Sequence, residues 1–190
     1  MGRIVVTEFV SLDGVMEAPG GDDNFKYGSW TFEFDRGEEG NKFKLDEVFE
    51  AEAQLLGRRT YEGFAAAWPE REDEFGFAER MNTMPKYVFS NSLEQADWDN
   101  TTILSGDFAT EVGKLRDEVD GVILVAGSCQ LVQGLIEHDL VDELRLMVFP
   151  VLLGYGMRLF GETDDKKTLR LTDSKIVGGD GVLVLTYQPA

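Results

Sequence analysis

Short apolar runs that break off at Gly, Ser, Asn or Thr, with amphipathic stretches between them, constrain this chain more than any other feature. Residues 4–10, 53–56, 87–89, 122–125, 144–149 and 182–187 read as strands. Residues 168–177 form a weaker seventh and 102–104 a short eighth. Runs that are apolar almost throughout suit strands covered on both faces. Between them, apolar positions recur at helical spacing in 42–51, 60–67, 109–119 and 129–139. Asp107 and Ser128 stand where the last two of these helices need N-caps. Residues 70–79 are acidic, contain Gly76 and read as a surface excursion.

The resulting order is β-α-β-α-β-β-α-β-α-β-β-β. Alternation up to about residue 140 implies parallel crossovers. The closing strands have no helix between them and are expected to pair antiparallel. The expected fold is therefore α/β, a three-layer arrangement in which helices flank a mixed, mostly parallel sheet of about eight strands. No internal repeat or low-complexity linker divides the sequence, so residues 1–190 are read as one domain.

Charge and composition narrow the function classes. A net charge of −18 opposes the basic footprint that nucleic acids and anionic membranes require. No apolar run reaches the roughly 18 residues of a membrane-spanning helix. The single cysteine, Cys129, excludes an internal disulfide and a cysteine-rich zinc site. A reducing cytoplasm is the compartment that fits it. A 43% apolar content is enough for a packed core.

In open α/β sheets, ligands bind beyond the carboxyl ends of the strands. Those ends read Gly57-Arg58-Arg59-Thr60, Ser90-Asn91-Ser92, Ser105-Gly106-Asp107 and Ala126-Gly127-Ser128. A helix N-terminus offers free N–H groups and the positive end of a dipole, and glycine lets a ligand approach the backbone. Arg58 and Arg59 are adjacent cations at such an end, where the dipole alone disfavours them. A bound anion resolves that conflict, and a solvated first turn is the other reading. Neither the Gly-x-Gly-x-x-Gly dinucleotide fingerprint nor a Walker phosphate loop is present: Gly154-Tyr155-Gly156 is next followed by glycine only at Gly161.

Five segments in order carry a family resemblance. They are Ser11-Leu12-Asp13-Gly14, Leu56-Gly57-Arg58-Arg59-Thr60-Tyr61-Glu62, Pro85-Lys86-Tyr87-Val88-Phe89-Ser90, Ala126-Gly127-Ser128 and Pro150-Val151-Leu152-Leu153-Gly154-Tyr155-Gly156. Together they resemble the dihydrofolate-reductase-like superfamily. Within it, they look most like the C-terminal reductase domain of the bifunctional riboflavin-biosynthesis deaminase-reductase and its stand-alone relatives. The resemblance implies an NADPH-dependent reductase of a small pyrimidine or pterin heterocycle, acting as a homodimer. It places Gly57, Arg58 and Thr60 by the cofactor phosphates, with Arg59 beside them. It places Ser90 and Asn91 by the adenosine ribose and 2′-phosphate, and Gly127 and Ser128 under the pyrophosphate. Asn91 is neutral where many relatives carry a basic residue, so a preference for NADPH would rest on Arg58 or Arg59. A non-catalytic nucleotide-binding or oligomeric module of the same fold is the other reading.

Hydride transfer also needs a proton source. Asp13, next to the expected nicotinamide pocket, is the candidate catalytic residue, as a ligand for the heterocycle or a proton relay. Leu-Asp-Gly is equally a turn sequence. The helix after the first strand offers Asp46, Glu47 and Glu50, the position at which dihydrofolate reductases carry a carboxylate. Trp30, Phe32, Phe34 and Phe43 are read as core or as a substrate wall, His138 as a surface group and Cys129 as a packing residue at a helix start. No metal site is expected.

Overall fold

The computed structural model describes residues 1–22 and 24–190. An eight-stranded sheet forms the middle layer. Its strands are β1 (Arg3–Ser11), β2 (Ala51–Gly57), β3 (Lys86–Phe89), β4 (Thr101–Leu104), β5 (Val122–Ala126), β6 (Glu143–Phe149), β7 (Leu169–Val177) and β8 (Val182–Pro189). Their spatial order is β4-β3-β2-β5-β1-β6-β8-β7. Every pairing from β4 to β6 is parallel, and β8 pairs antiparallel with both β6 and β7. The α/β, mostly parallel sheet expected from the alternation is the one observed.

Burial follows that topology. β1 lies between β5 and β6, and Ile4, Val5 and Val6 are wholly buried. β7 is an edge strand exposed at every residue but Val177, which is why its sequence reads as the weak member.

Five helices and a 3-10 turn cover the sheet: α1 (Gly37–Glu50), α2 (Arg58–Ala67), α3 (Phe77–Thr83), α4 (Phe108–Glu118), α5 (Cys129–Glu137) and the turn at Trp30–Glu33. On one face, Val112 and Leu115 of α4 and Leu131, Val132 and Leu135 of α5 pack against Ile4, Val6, Ile123 and Val125. On the other, Val48 of α1, Tyr61 of α2 and Met81 of α3 pack with Val5, Leu56 and Leu124. A third cluster sits at the ends of β6 and β8, where Trp30 meets Phe149 edge-on and donates from its indole N–H to the Glu17 carbonyl.

Two local readings change. The acidic excursion at 70–79 leads into α3, whose first turn is held by the Asp73 carboxylate accepting from Phe77 and Ala78 N–H. Asp73 lies upstream of the N-cap, Gly76, so the usual capping position carries no signal. Ser128 precedes α5, as expected of an N-cap, but it has φ +70° and makes no side-chain cap. Its hydroxyl instead accepts from Gly57 N–H, 71 residues away, at 2.8 Å. Asp107 does cap α4, accepting from Thr110 N–H at 3.0 Å.

Candidate functional site

Two βα turns meet at the carboxyl edge of the sheet. β2 and β5 are parallel neighbours, so the starts of α2 and α5 lie side by side. Gly57 donates to Ser128 Oγ, and a Cβ on Gly57 would come within 3.2 Å of Ser128 Cβ. Gly127 has φ +70°, and a Cβ there would come within 3.1 Å of Thr60 Cγ2. Glycine is needed at Gly127 for both its conformation and the close approach. Neither α2 nor α5 has a side-chain cap on its first-turn N–H groups. The result is two positive dipole ends with backbone donors at one place, an arrangement suited to phosphate groups.

Of the eight residues expected at a cofactor, Gly57 and Ser128 are thus hydrogen-bonded to each other, and Gly127 lies close against Thr60. Arg58 and Arg59 are exposed on the first turn of α2. Arg58 forms an ion pair with Glu62 at 3.1 Å, whereas Arg59 takes part in none among the described residues. Ser90 and Asn91 follow β3, one strand further out, since Gly57 is in register with Phe89. Ser90 is buried, and its hydroxyl accepts from Ser92 and Leu93 N–H. Asn91 accepts from Gly106 N–H at 2.8 Å, which ties the β3 and β4 ends together.

Asp13 lies beyond β1 and is engaged on all sides. It accepts from Ser11 Oγ at 2.6 Å, Leu153 N–H at 3.1 Å and Gly154 N–H at 2.8 Å, and the Arg158 guanidinium lies 3.7 Å away. These donors, Ser11 foremost, hold its pKa down at about 2. A carboxylate so held is ionised at neutral pH and poorly suited to donate a proton. Its geometry is that of an anchor between the loops after β1 and β6. Val15 pairing with Arg158 and Met16 N–H donating to the Met157 carbonyl continue that seam.

The sign of its pH dependence follows. A depressed folded-state pKa stabilises the fold above the unfolded value near 4, and that contribution is lost as pH falls through about 2. Asp13→Asn is expected to lower stability at pH 7 by about 1 kcal/mol, given partial exposure, and to remove this acid-limb loss. Thermal unfolding at pH 7 and pH 3 checks it.

The middle of β1 holds polar groups that the apolar reading of 4–10 passed over. Thr7 faces α1: its hydroxyl donates to Glu47 at 2.9 Å and accepts from Lys44 Nζ at 2.7 Å. Glu47 is 2% exposed and pairs with Lys44 at 2.6 Å. Of the three α1 carboxylates noted in the sequence, Glu47 is the inward one, while Asp46 pairs with Lys42 and Glu50 with Arg145 at the surface. Next along the same face is Phe9, with Lys44 Nζ 4.9 Å and the Arg36 guanidinium 5.4 Å from its ring centre. Glu8 points to the opposite face, 4% exposed, and accepts from Gly127 N–H at 3.1 Å. A charged residue flanked by apolar ones in a central strand was the available signal for Glu8.

Packing accounts for the other candidates, Phe32 excepted. Trp30 is core, Phe34 packs on Phe149, Phe43 lies under Lys175 and Phe32 is 73% exposed. The Cys129 thiol donates to the Arg158 carbonyl, and burial pushes its pKa up. No helix is long and apolar enough to cross a membrane, and no cluster of three metal-ligating side chains occurs among the described residues.

Comparison with known proteins supplies a family. The RibD C-terminal domain family model matches residues 3–184. YwjB, an uncharacterized protein of Bacillus subtilis (strain 168), is 30% identical over 169 residues, 89% of this chain and 88% of YwjB. Among solved structures, a Shewanella sp. PV-4 protein named for riboflavin biosynthesis superposes with a TM-score of 0.79 at 21% identity, covering 99% of each chain. Dihydrofolate reductase from Enterococcus faecalis, complexed with NADP(H) and RAB-propyl, superposes with a TM-score of 0.60 at 18% identity, over 99% of this chain and 96% of that one.

Proposed function

The chain belongs to the RibD C-terminal domain family, and on that premise we propose that it is an NADPH-dependent reductase of a small pyrimidine- or pterin-type heterocycle. The family membership and the dihydrofolate-reductase-like fold support a reductase-like protein of the riboflavin-biosynthesis type. The meeting of the α2 and α5 N-termini through Gly57, Thr60, Gly127 and Ser128 carries the cofactor part of the reading.

The residues present fit a dinucleotide. Two uncapped helix starts supply backbone donors, Thr60 and Ser128 bring hydroxyls to the same turn, and Gly127 has no side chain to obstruct it. In a protein of net charge −18, the exposed Arg58–Arg59 pair places positive charge beside that turn. Ser90 and Asn91 would bound the adenosine end. A reduced dinucleotide held by these turns would supply a hydride from its nicotinamide. On the α1 face of β1, Phe9 would give the heterocycle an aromatic side. Thr7, Lys44 and Glu47 would hold a proton at a connected set of three polar atoms. Asp13 would hold the neighbouring loops in place as a fixed anion.

Arg59 is the free guanidinium of the pair, and it is assigned to the 2′-phosphate because Asn91 brings no charge. Arg59→Ala is expected to weaken NADPH binding about tenfold and to leave NADH binding within about twofold, the loss of one charge-assisted phosphate contact. Nicotinamide-fluorescence titrations with both cofactors test it, and equal losses for the two would remove Arg59 from 2′-phosphate recognition. A homodimer, one domain spanning the chain and a cytoplasmic location complete the proposal.

A further inference from the structure

Glu8 is the least expected residue in β1. It stands in an interior strand of the sheet, between β5 and β6, and is 4% exposed. One carboxyl oxygen accepts from Gly127 N–H at 3.1 Å. The other is fully buried and has no hydrogen-bond partner among the described residues. An ionised carboxylate with an orphaned oxygen in such a place is costly, whereas the neutral acid is far less so.

The surrounding charges do not offset that cost. Lys44 attracts Glu8 from the α1 side but is already bound to Glu47 and Thr7. Glu47 repels it. Cys129 on α5 is the remaining titratable neighbour, and its thiol pKa is raised by burial first, then by Glu8 and by Glu17 on the loop after β1. No cation forms an ion pair with Glu8 among the described residues. Burial, the largest influence, raises its pKa to about 8.

Gly127 links this buried acid to the turn where α2 and α5 begin. We infer that Glu8 is a positioning residue carried as the neutral acid, and that a proton on Glu8 and a dinucleotide at the Gly127–Ser128 turn bind cooperatively. The inference rests on the dinucleotide reading above. A neutral Glu8 holds the Gly127 peptide in place without opposing a phosphate, while an ionised Glu8 sets a negative charge directly behind the same peptide. Linkage then requires that the dinucleotide raise the pKa of Glu8 and take up a proton on binding in the alkaline range.

Two measurements on the full chain test this. The first is the NADPH dissociation constant from pH 6.5 to 9.5 for the native protein and for Glu8→Gln, which keeps the shape of the neutral acid. Native affinity is expected to fall about tenfold between pH 7 and pH 9.5, and that of Glu8→Gln to stay within about twofold. The second is calorimetric binding of NADPH to the native protein at pH 8.5 in two buffers of different ionisation enthalpy, with net proton uptake expected. Parallel pH profiles for the two proteins, or no proton uptake by the native one, overturn the role of Glu8 and leave dinucleotide binding standing. Failure of both proteins to bind NADPH at pH 7 contradicts the dinucleotide reading itself, and the linkage falls with it. The calorimetric test needs no variant, so a misfolded Glu8→Gln does not shield the inference.

Discussion

Gly127→Val is expected to weaken NADPH binding at least tenfold and to lower the unfolding midpoint by several degrees. Two independent costs combine at this position. The backbone is at φ +70°, where an L-residue is strained by roughly 1–2 kcal/mol and a β-branched one by more. A Cβ would also come within 3.1 Å of Thr60 Cγ2, forcing apart the two helix starts that Gly57 and Ser128 hold together. A stability loss of about 2–3 kcal/mol corresponds to a midpoint about 6–10 °C lower for a chain of this size. Unchanged NADPH affinity in a folded Gly127→Val protein would move the cofactor away from this turn.

Lys86→Met is expected to be the most destabilising single change considered. Lys86 is wholly buried. Its ammonium donates to the carbonyls of Met81 at 3.1 Å, Asn82 at 2.8 Å and Met84 at 2.8 Å, and lies 4.3 Å from the centre of the Trp98 ring. It therefore closes the C-terminus of α3 from inside the core. Methionine fills the space but leaves those carbonyls without their donor, at about 3 kcal/mol or more. The midpoint should fall by about 10 °C.

The pH dependence separates this from simple repacking. Burial, only partly opposed by the charge of Asp99, pushes the Lys86 pKa down to about 8. Between about pH 8 and its ordinary value of 10.5 the unfolded chain holds that proton and the folded chain does not. Native stability therefore gains from this group as pH rises through that window, and Lys86→Met lacks the gain. Denaturant melts at pH 7 and pH 9.5 report both effects; a variant as stable as the native protein at pH 7 would contradict the capping role.

The parts of the fold that were legible in the sequence are those fixed by local pattern. β5 is apolar throughout, and β1 and β6 are largely apolar, because they are buried in the interior of the sheet, so they read directly as central strands. The antiparallel closing strands followed from the absence of a helix between them. The α3 helix did not read, because its buried contacts, Ala78 and Met81, are only two within a short acidic segment.

The site was legible as a set of strand ends, not as a set of contacts. Gly57 and Ser128, Glu8 and Gly127, and Asp13 and Gly154 are 71, 119 and 141 residues apart. Such pairs depend on strand order, which periodicity does not specify. Ser128 was a local cap by its sequence position and is a tertiary acceptor in the fold. The sequence offers Asp13 as a turn residue, a heterocycle ligand or a proton relay, and only the fold shows its bonds to Ser11, Leu153 and Gly154. Glu8 lies within a run that reads as a strand, and only the position of Gly127 gives it a role.

The α2 and α5 helix starts are proposed to hold a nicotinamide dinucleotide. Titration of the native protein with NADPH and with NADH at pH 7, followed by nicotinamide fluorescence, tests it most directly. Saturable binding of one NADPH per chain is expected, at least about tenfold tighter than NADH, as one additional charge-assisted phosphate contact gives. No saturable binding of either cofactor would contradict it.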